Sequence, residues 1–288
     1  MATVVNAIAP RVEQAEIERT KSKSTDRLDA YDYYLRGIAR LNLTISPGGA
    51  EPEAVLAAVR EARTLFLKAM ELDPDFARAY GGVAQTYVME SQNPKAANRT
   101  AIIAEATRVS RRAASLGKDD AVVLSQAGQA LAYVAGEIDE GAILVEHALL
   151  LNPNLALAWN FGGWMKIFGG EPEQRFAKAM RINPLDPLIF LLQAGTACGH
   201  LFAGDHEEAA VWAEKALHER PRLIIALRIA AACFALGGRL EQAKKVAGRV
   251  HELSPQFRIA QAKSLFPLRR PEDLAKYCEG LRLAGLPE

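Results

Sequence analysis

Nine polar and aromatic residues lie in segments with a helical pattern, but they do not belong to the set of small and apolar residues that packs the helices together. Amide and guanidinium groups can bond a peptide backbone or a carboxylate, and aromatic rings can anchor protein interfaces. The set predicts a surface that binds a protein or peptide, with Tyr133 and Trp164 as aromatic anchors. Taken singly, each residue fits an ordinary inter-helix contact or a solvated side chain better. The set comprises Tyr34, Arg78, Gln85, Gln126, Gln129, Tyr133, Asn160, Trp164 and Arg228.

Catalytic chemistry has little support in the sequence. It contains no G-x4-GK[ST] phosphate loop, no G-x-G-x-x-G after a strand, no G-x-S-x-G elbow and no H-E-x-x-H pair. The stretch "GHLFAGDHEEA" does bring His200 and His206 close to acidic residues. Gly204 and Asp205 are nevertheless typical of a turn and a helix cap, and two imidazoles are a poor metal set. We therefore expect no enzyme activity, no metal site and no cofactor.

Bulk charge does not select a partner for this chain. The 288 residues include 35 basic and 34 acidic side chains, and the net charge is +1. This balance favours neither nucleic acid nor an anionic membrane. Cys198, Cys233 and Cys278 are widely spaced in helical patterns, which favours reduced, buried thiols. The sequence contains no secretion signal and no apolar run long enough to span a bilayer, so we expect a cytoplasmic protein.

Proline interrupts the helical pattern at regular intervals. In "KAMELDPDFARAYGGVAQTY" a helix should end near Asp73, because proline disfavours the helical conformation of the residue before it. Later prolines follow one another after 31, 37 and 34 residues (184 − 153, 221 − 184 and 255 − 221). This period is typical of helix-pair solenoids, so the sequence predicts an all-α fold. Six pairs are expected, ending at Pro74, Lys118, Pro153, Pro184, Pro221 and Pro255.

Small residues recur on one face of the second helix of each pair. The pattern is Ala62-x3-Phe66-x2-Ala69 in the first pair and Ala209-x3-Ala213-x2-Ala216 in the fifth. It resembles the tetratricopeptide repeat (TPR) over roughly residues 30–255, and the resemblance implies an α-solenoid. Two departures are expected: a long surface loop at "LTISPGGAEPEAV" in the first pair, and a second helix about one turn short in the fourth.

Three stretches carry a narrower resemblance: "AIAPRVEQAEIERTKSKSTDRLDAYDYYLRGIARL", "EPEQRFAKAMRINPLDP" and "RRPEDLAKYCEGLRLAGLPE". They resemble the C-terminal repeat region of bacterial class III adenylate/guanylate cyclases and of TolB-like regulators. In those proteins a catalytic or DNA-binding domain precedes the array. The resemblance implies that residues 1–28 are the last helix or linker of a preceding segment, 29–256 the TPR array, and 257–288 capping helices over the last repeat.

The sequence thus favours a non-catalytic regulatory module that binds a protein or peptide, such as the effector domain of a parent protein, in a groove lined by first helices. Two alternatives stay open: a structural spacer or dimerisation element, and an enzyme with an unrecognised site. The Lys and Asn set of the chaperone-binding carboxylate clamp is not reproduced, since Ile38, Gly82 and Val122 stand at corresponding positions. The partner, the oligomeric state and the choice between concave and convex faces are left open.

Overall fold

The structure is a computed structural model that describes residues 15–17, 29–44, 52–92, 98–171 and 174–288. These residues form helices joined by short turns, and no strand occurs among them. They separate into two compact units, the first reaching Phe161 and the second running from Gly162 to Glu288. Most of segment 1–28 and the long loop predicted in the first pair lie outside the described residues.

The first unit contains three helix pairs and the start of a fourth. Its helices are α1 (Ala30–Thr44), α2 (Pro52–Leu72), α3 (Ala77–Ser91), α4 (Arg99–Leu116), α5 (Ala121–Ala130), α6 (Ile138–Leu151) and the first residues of α7 (Ala156–Gly169). A π-helical turn, Leu131–Ala135, extends α5. Consecutive helices pack against each other from α1 to α6, and the first helices α3 and α5 also touch.

The second unit holds the remainder of α7 and the helices that follow. They are α8 (Arg175–Ile182), α9 (Ile189–Ala203), α10 (His206–Glu219), α11 (Ile224–Leu236), α12 (Leu240–Leu253), a 3-10 turn (Ile259–Gln261), α13 (Ala262–Leu265) and α14 (Pro271–Leu283). The prediction of about six helix pairs followed by a C-terminal helix is confirmed. The eight residues of α8, against fourteen in α10 and α12, also confirm the short second helix of the fourth pair.

The small-residue face of each second helix is where helices meet. Ala62, Phe66 and Ala69 on α2 are completely buried. Gly37 on α1 and Gly82 on α3 lie so close to the Phe66 ring that neither position has room for a Cβ atom. One large ring therefore fills the space that small residues on two first helices leave open, which is close packing of the kind expected in a protein interior.

Glycine ends the first helix in each of the last four pairs. Gly136, Gly170, Gly204 and Gly238 all have positive φ values, between 75° and 87°. The amide of the following residue donates to a carbonyl in the last turn, as from Asp205 N to His200 O at 2.9 Å. This left-handed termination fits glycine best, because it has no Cβ. The Asp205 carboxylate then caps α10, as the sequence predicted, by accepting from Glu208 N.

The C-terminal segment, residues 257–288, packs on the first helices of the last three pairs. Arg269 N donates to Phe168 O of α7 at 2.8 Å, and Lys276 Nζ donates to Phe202 O of α9 at 3.0 Å. Gly280 lies directly against Ala232 of α11. The helix α14 begins at Pro271. The segment thus covers more than the last pair: it lies on the face where first helices were expected to line a groove.

Candidate protein-binding surface

Two of the three aromatic residues of the predicted set belong to ring clusters. In the first unit, Tyr34 is 5% exposed and its ring lies 5.8 Å from that of Phe66 and 5.3 Å from that of Phe76. In the second unit, Trp164 is 8% exposed and its ring lies 5.6 Å from Phe176 and 5.9 Å from Phe266. Both side chains hold helices together.

Tyr133 is also buried, and it lies in the π-helical turn that extends α5. This turn packs against α4 and α6. A π-helical turn changes the register of side chains around a helix axis, since its hydrogen bonds span one residue more than those of an α-helix. The regular helical register assumed for Tyr133 from the sequence therefore does not apply beyond Ala130.

Polar members of the set connect α3 to α5 in the first unit. Arg78 Nε donates to Asp120 Oδ2 at 2.8 Å, and Gln85 Nε2 donates to Gln126 O at 3.3 Å. Burial acts to lower the pKa of Arg78, but the hydrogen bond and charge of Asp120 outweigh it, so that the pKa is raised. The Gln126 side chain meanwhile lies directly over Gly81 of α3. The structure thus brings Arg78, Gln85 and Gln126 together, each near the junction of two first helices.

Three members of the set carry a buried polar atom that has no hydrogen-bond partner among the described residues. They are Gln129 Oε1 on α5, Asn160 Oδ1 on α7 and Arg228 Nε on α11. Asn160 and Arg228 are each 3% exposed. A buried polar group without a partner costs about 1–3 kcal/mol, so such groups are uncommon in folded proteins. These three positions are the best candidates for contacts with a molecule that the chain binds.

The sequence did not indicate how much of the second unit is covered by the C-terminal segment. Phe266 packs its ring against those of Trp164, Phe168, Phe202 and Tyr277. The only sequence signal was the apolar content of "KSLFPL", which does not specify where the ring packs. Gln193 on α9 was also missed: its Oε1 is buried and has no hydrogen-bond partner among the residues that the structure describes.

The described residues contain no group of three or more His, Cys, Asp or Glu side chains that could hold a metal ion. His200 Nδ1 instead lies 3.2 Å from the Asp205 carboxylate at the turn between α9 and α10. Burial raises the pKa of the Cys198 and Cys233 thiols, which favours their protonated, unreactive form. Within the described part of the chain, no helix combines the length and apolarity needed to cross a membrane.

No protein-family model matches the sequence, and no curated protein matches it in a sequence comparison. Solved structures do resemble the fold. PilF of Pseudomonas aeruginosa is 17% identical with a TM-score of 0.51, and the match covers 79% of this chain and 93% of PilF. A chain of the APC/C hetero-tetramer Cut9–Hcn1 is 16% identical with a TM-score of 0.63, over 85% of this chain and 44% of that one.

The human IFIT1 dimer, solved with m7Gppp-AAAA, gives a TM-score of 0.62 at 13% identity. That match covers 91% of this chain and 60% of the IFIT1 chain, so this chain spans less than two thirds of the IFIT1 and Cut9–Hcn1 chains. At these identities the likeness concerns the fold alone. Helix pairs with small-residue faces, proline-containing turns and these neighbours together show a TPR-type fold.

Proposed function

We propose that this chain is a non-catalytic protein-interaction module, and that it binds an extended peptide segment of its partner on the first helices of the first unit. TPR-type arrays present first helices side by side, which creates an extended binding surface without any catalytic group. The structural neighbours support interaction with proteins in general terms. A net charge of +1 favours a protein over a nucleic acid as partner.

The observation that carries this proposal is the pair of buried amide oxygens on Gln129 and Asn160, neither of which has a donor among the described residues. A backbone N–H of an extended peptide is a suitable donor for each oxygen. The side-chain amide also offers N–H groups, so it can pair with the N–H and the C=O of a peptide unit. Binding would therefore remove a cost that the free protein bears.

The remaining members of the predicted set have two roles in this proposal. Gln85 and Gln126 flank the bound segment, since the Gln85 side-chain amide donates to the backbone carbonyl of Gln126 at the junction of α3 and α5. Arg78 adds a half-exposed cation beside Asp120, where it can attract an acidic group of the partner. Tyr34 and Trp164 support the surface through packing, because their rings pack against other rings, and Tyr133 does so from the π-helical turn that packs against α4 and α6.

The partner that we propose is a cytoplasmic signalling protein, with the effector domain of a nucleotide cyclase or TolB-like regulator as the first to test. This choice depends on the three sequence stretches that resemble the repeat regions of those proteins. A catalytic cyclase domain added in trans should bind this chain, and its turnover should change on binding. The isolated chain should turn over neither ATP nor GTP in the presence of Mn²⁺, and turnover above a blank would contradict the proposal.

The binding surface can be tested once cross-linking and peptide mapping define the bound segment. We expect Asn160→Ala and Gln129→Ala each to weaken binding of the mapped peptide about fivefold, the value of one net hydrogen bond. Gln242→Ala is the matched control, because Gln242 is exposed on α12. Isothermal titration calorimetry measures the affinities, and thermal melting shows that each variant is folded. Unchanged affinity in both variants would place the peptide elsewhere.

A further inference from the structure

Arg228 is a buried cation beside a small hollow in the second unit. The hollow contains about 250 Å³ of empty space, part of it open to solvent. It lies between α11 and the C-terminal segment, and Arg228 is the only charged residue among those described as lining it. The other principal lining residues are apolar or aromatic: Ile225, Ile229, Phe257, Leu265, Phe266 and Tyr277.

The charge of Arg228 is not neutralised by any described carboxylate within 4.0 Å. The buried carboxylate of the C-terminal segment, Asp273, instead lies 3.6 Å from Arg270. Arg228 does lie over the Phe257 ring, at 5.0 Å from the centroid. This cation–π contact is weaker than the hydration that a guanidinium loses on burial, and within the described part of the chain Nε has no acceptor.

We propose that this hollow receives the carboxylate of an acidic side chain carried by the peptide partner. A guanidinium offers two parallel N–H donors that match a carboxylate, and the apolar walls suit the short methylene stem behind it.

This inference rests on the proposed function for the nature of the ligand, but it concerns Arg228 in the second unit and can be tested without a partner. The probe is N-acetylglutamic acid α-amide, whose only carboxylate is the side chain. Its neutral isostere is N-acetylglutamine amide. N-acetylalanine carries only a C-terminal carboxylate. It therefore shows whether the hollow binds the C-terminal carboxylate of a peptide or the carboxylate of a side chain. The readout is the Arg228 Nε–H resonance in the full-length protein, assigned by its loss in Arg228→Met.

We expect the glutamate probe to shift this resonance in a saturable manner, with a dissociation constant on the order of 1 mM. The glutamine probe should give no saturable shift, and N-acetylalanine should bind more weakly. Equal shifts from the glutamine probe would overturn the carboxylate site. Equal affinity of N-acetylalanine would overturn the side-chain assignment. Either failure leaves the test of Gln129 and Asn160 untouched, so failure of this site and failure of the proposed function are distinguishable.

Variants separate a binding role from a packing role. Arg228→Met removes the charge at similar volume, and we expect its melting temperature to equal or exceed that of the parent, because an unpaired buried charge is removed. Arg228→Lys keeps the charge but loses the planar fork, so the probe, followed through the Tyr277 ring resonances, should bind about tenfold more weakly. Arg181→Met, at an exposed position of α8, is the control. Two results together would show that Arg228 has a structural role instead: a large loss of stability in Arg228→Met, and binding of the glutamate probe by Arg228→Lys that equals binding by the parent.

Discussion

At the residue scale, the turn glycines show how one missing Cβ atom determines where a helix stops. Gly204 has a φ of 87°, and an added Cβ would meet no atom of the described residues within 4 Å. Any penalty for Gly204→Ala therefore comes from the backbone, and we expect a loss of about 1–2 kcal/mol in the free energy of unfolding. Urea denaturation followed by circular dichroism measures the change.

Gly248 provides the opposite control. It lies inside α12, and an added Cβ there would also have open space around it in the described structure, with no atom within 4 Å. Because alanine is favoured over glycine inside a helix, Gly248→Ala should stabilise the protein by about 0.5–1 kcal/mol. If both substitutions change stability in the same direction, the left-handed conformation of Gly204 is not what makes glycine necessary there.

Individual functional residues were harder to predict from sequence than individual turns. Asp205 was assignable as a helix cap because capping depends on the next three residues along the chain. Trp164 was assigned to a binding surface by its helical spacing, yet Phe266, about a hundred residues further on, packs on its ring. Helical spacing gives the face of a helix, but it does not tell which distant segment covers that face.

At the element scale, the C-terminal segment is part of the core of the second unit. Phe266 is 4% exposed and its ring contacts four other aromatic rings. We expect Phe266→Ala to lower the free energy of unfolding by about 3–5 kcal/mol, because the cavity would lie inside a packed cluster. Chemical denaturation of the full chain, followed by tryptophan fluorescence, would measure this loss.

The matched control for Phe266 is Leu283, which is 45% exposed at the end of α14. Leu283→Ala should change stability by less than about 0.5 kcal/mol, as is usual for surface positions. Similar small effects from both substitutions would mean that the C-terminal segment is only loosely attached. The first-helix face beneath it would then be open to a partner, in contrast to the packing observed here.

At the scale of the whole molecule, the fold was predictable because each helix pair repeats the same local rules. Small residues at the helix contacts, and in five of the six pairs a proline after the second helix, can be identified within one repeat. The C-terminal segment follows no such rule, since its position depends on aromatic contacts with α7 and α9. The division of the chain at Phe161 likewise has no signal in the sequence, because α7 runs through it without interruption.

Two equivalent phenylalanines test whether stability is local in this chain. Phe66 in the first unit and Phe176 in the second are completely buried, and each packs against glycines of two first helices. In repeat arrays each pair contacts mainly its neighbours, so a defect should remain in the unit where it is made. We expect Phe66→Ala to accelerate amide hydrogen exchange about a hundredfold in the first unit, from a loss of roughly 3 kcal/mol or more.

Phe176→Ala should have the same effect in the second unit, where the Phe176 ring also contacts Trp164. Hydrogen exchange followed by mass spectrometry locates the accelerated amides for each variant, and the parent protein provides the reference rates. Equal acceleration throughout the chain in both variants would show a single cooperative fold. Peptide binding would then depend on the stability of every helix pair, because any distant core substitution would reduce the population able to bind. Acceleration confined to the mutated unit would mean instead that Phe176→Ala leaves the Gln129 and Asn160 surface intact.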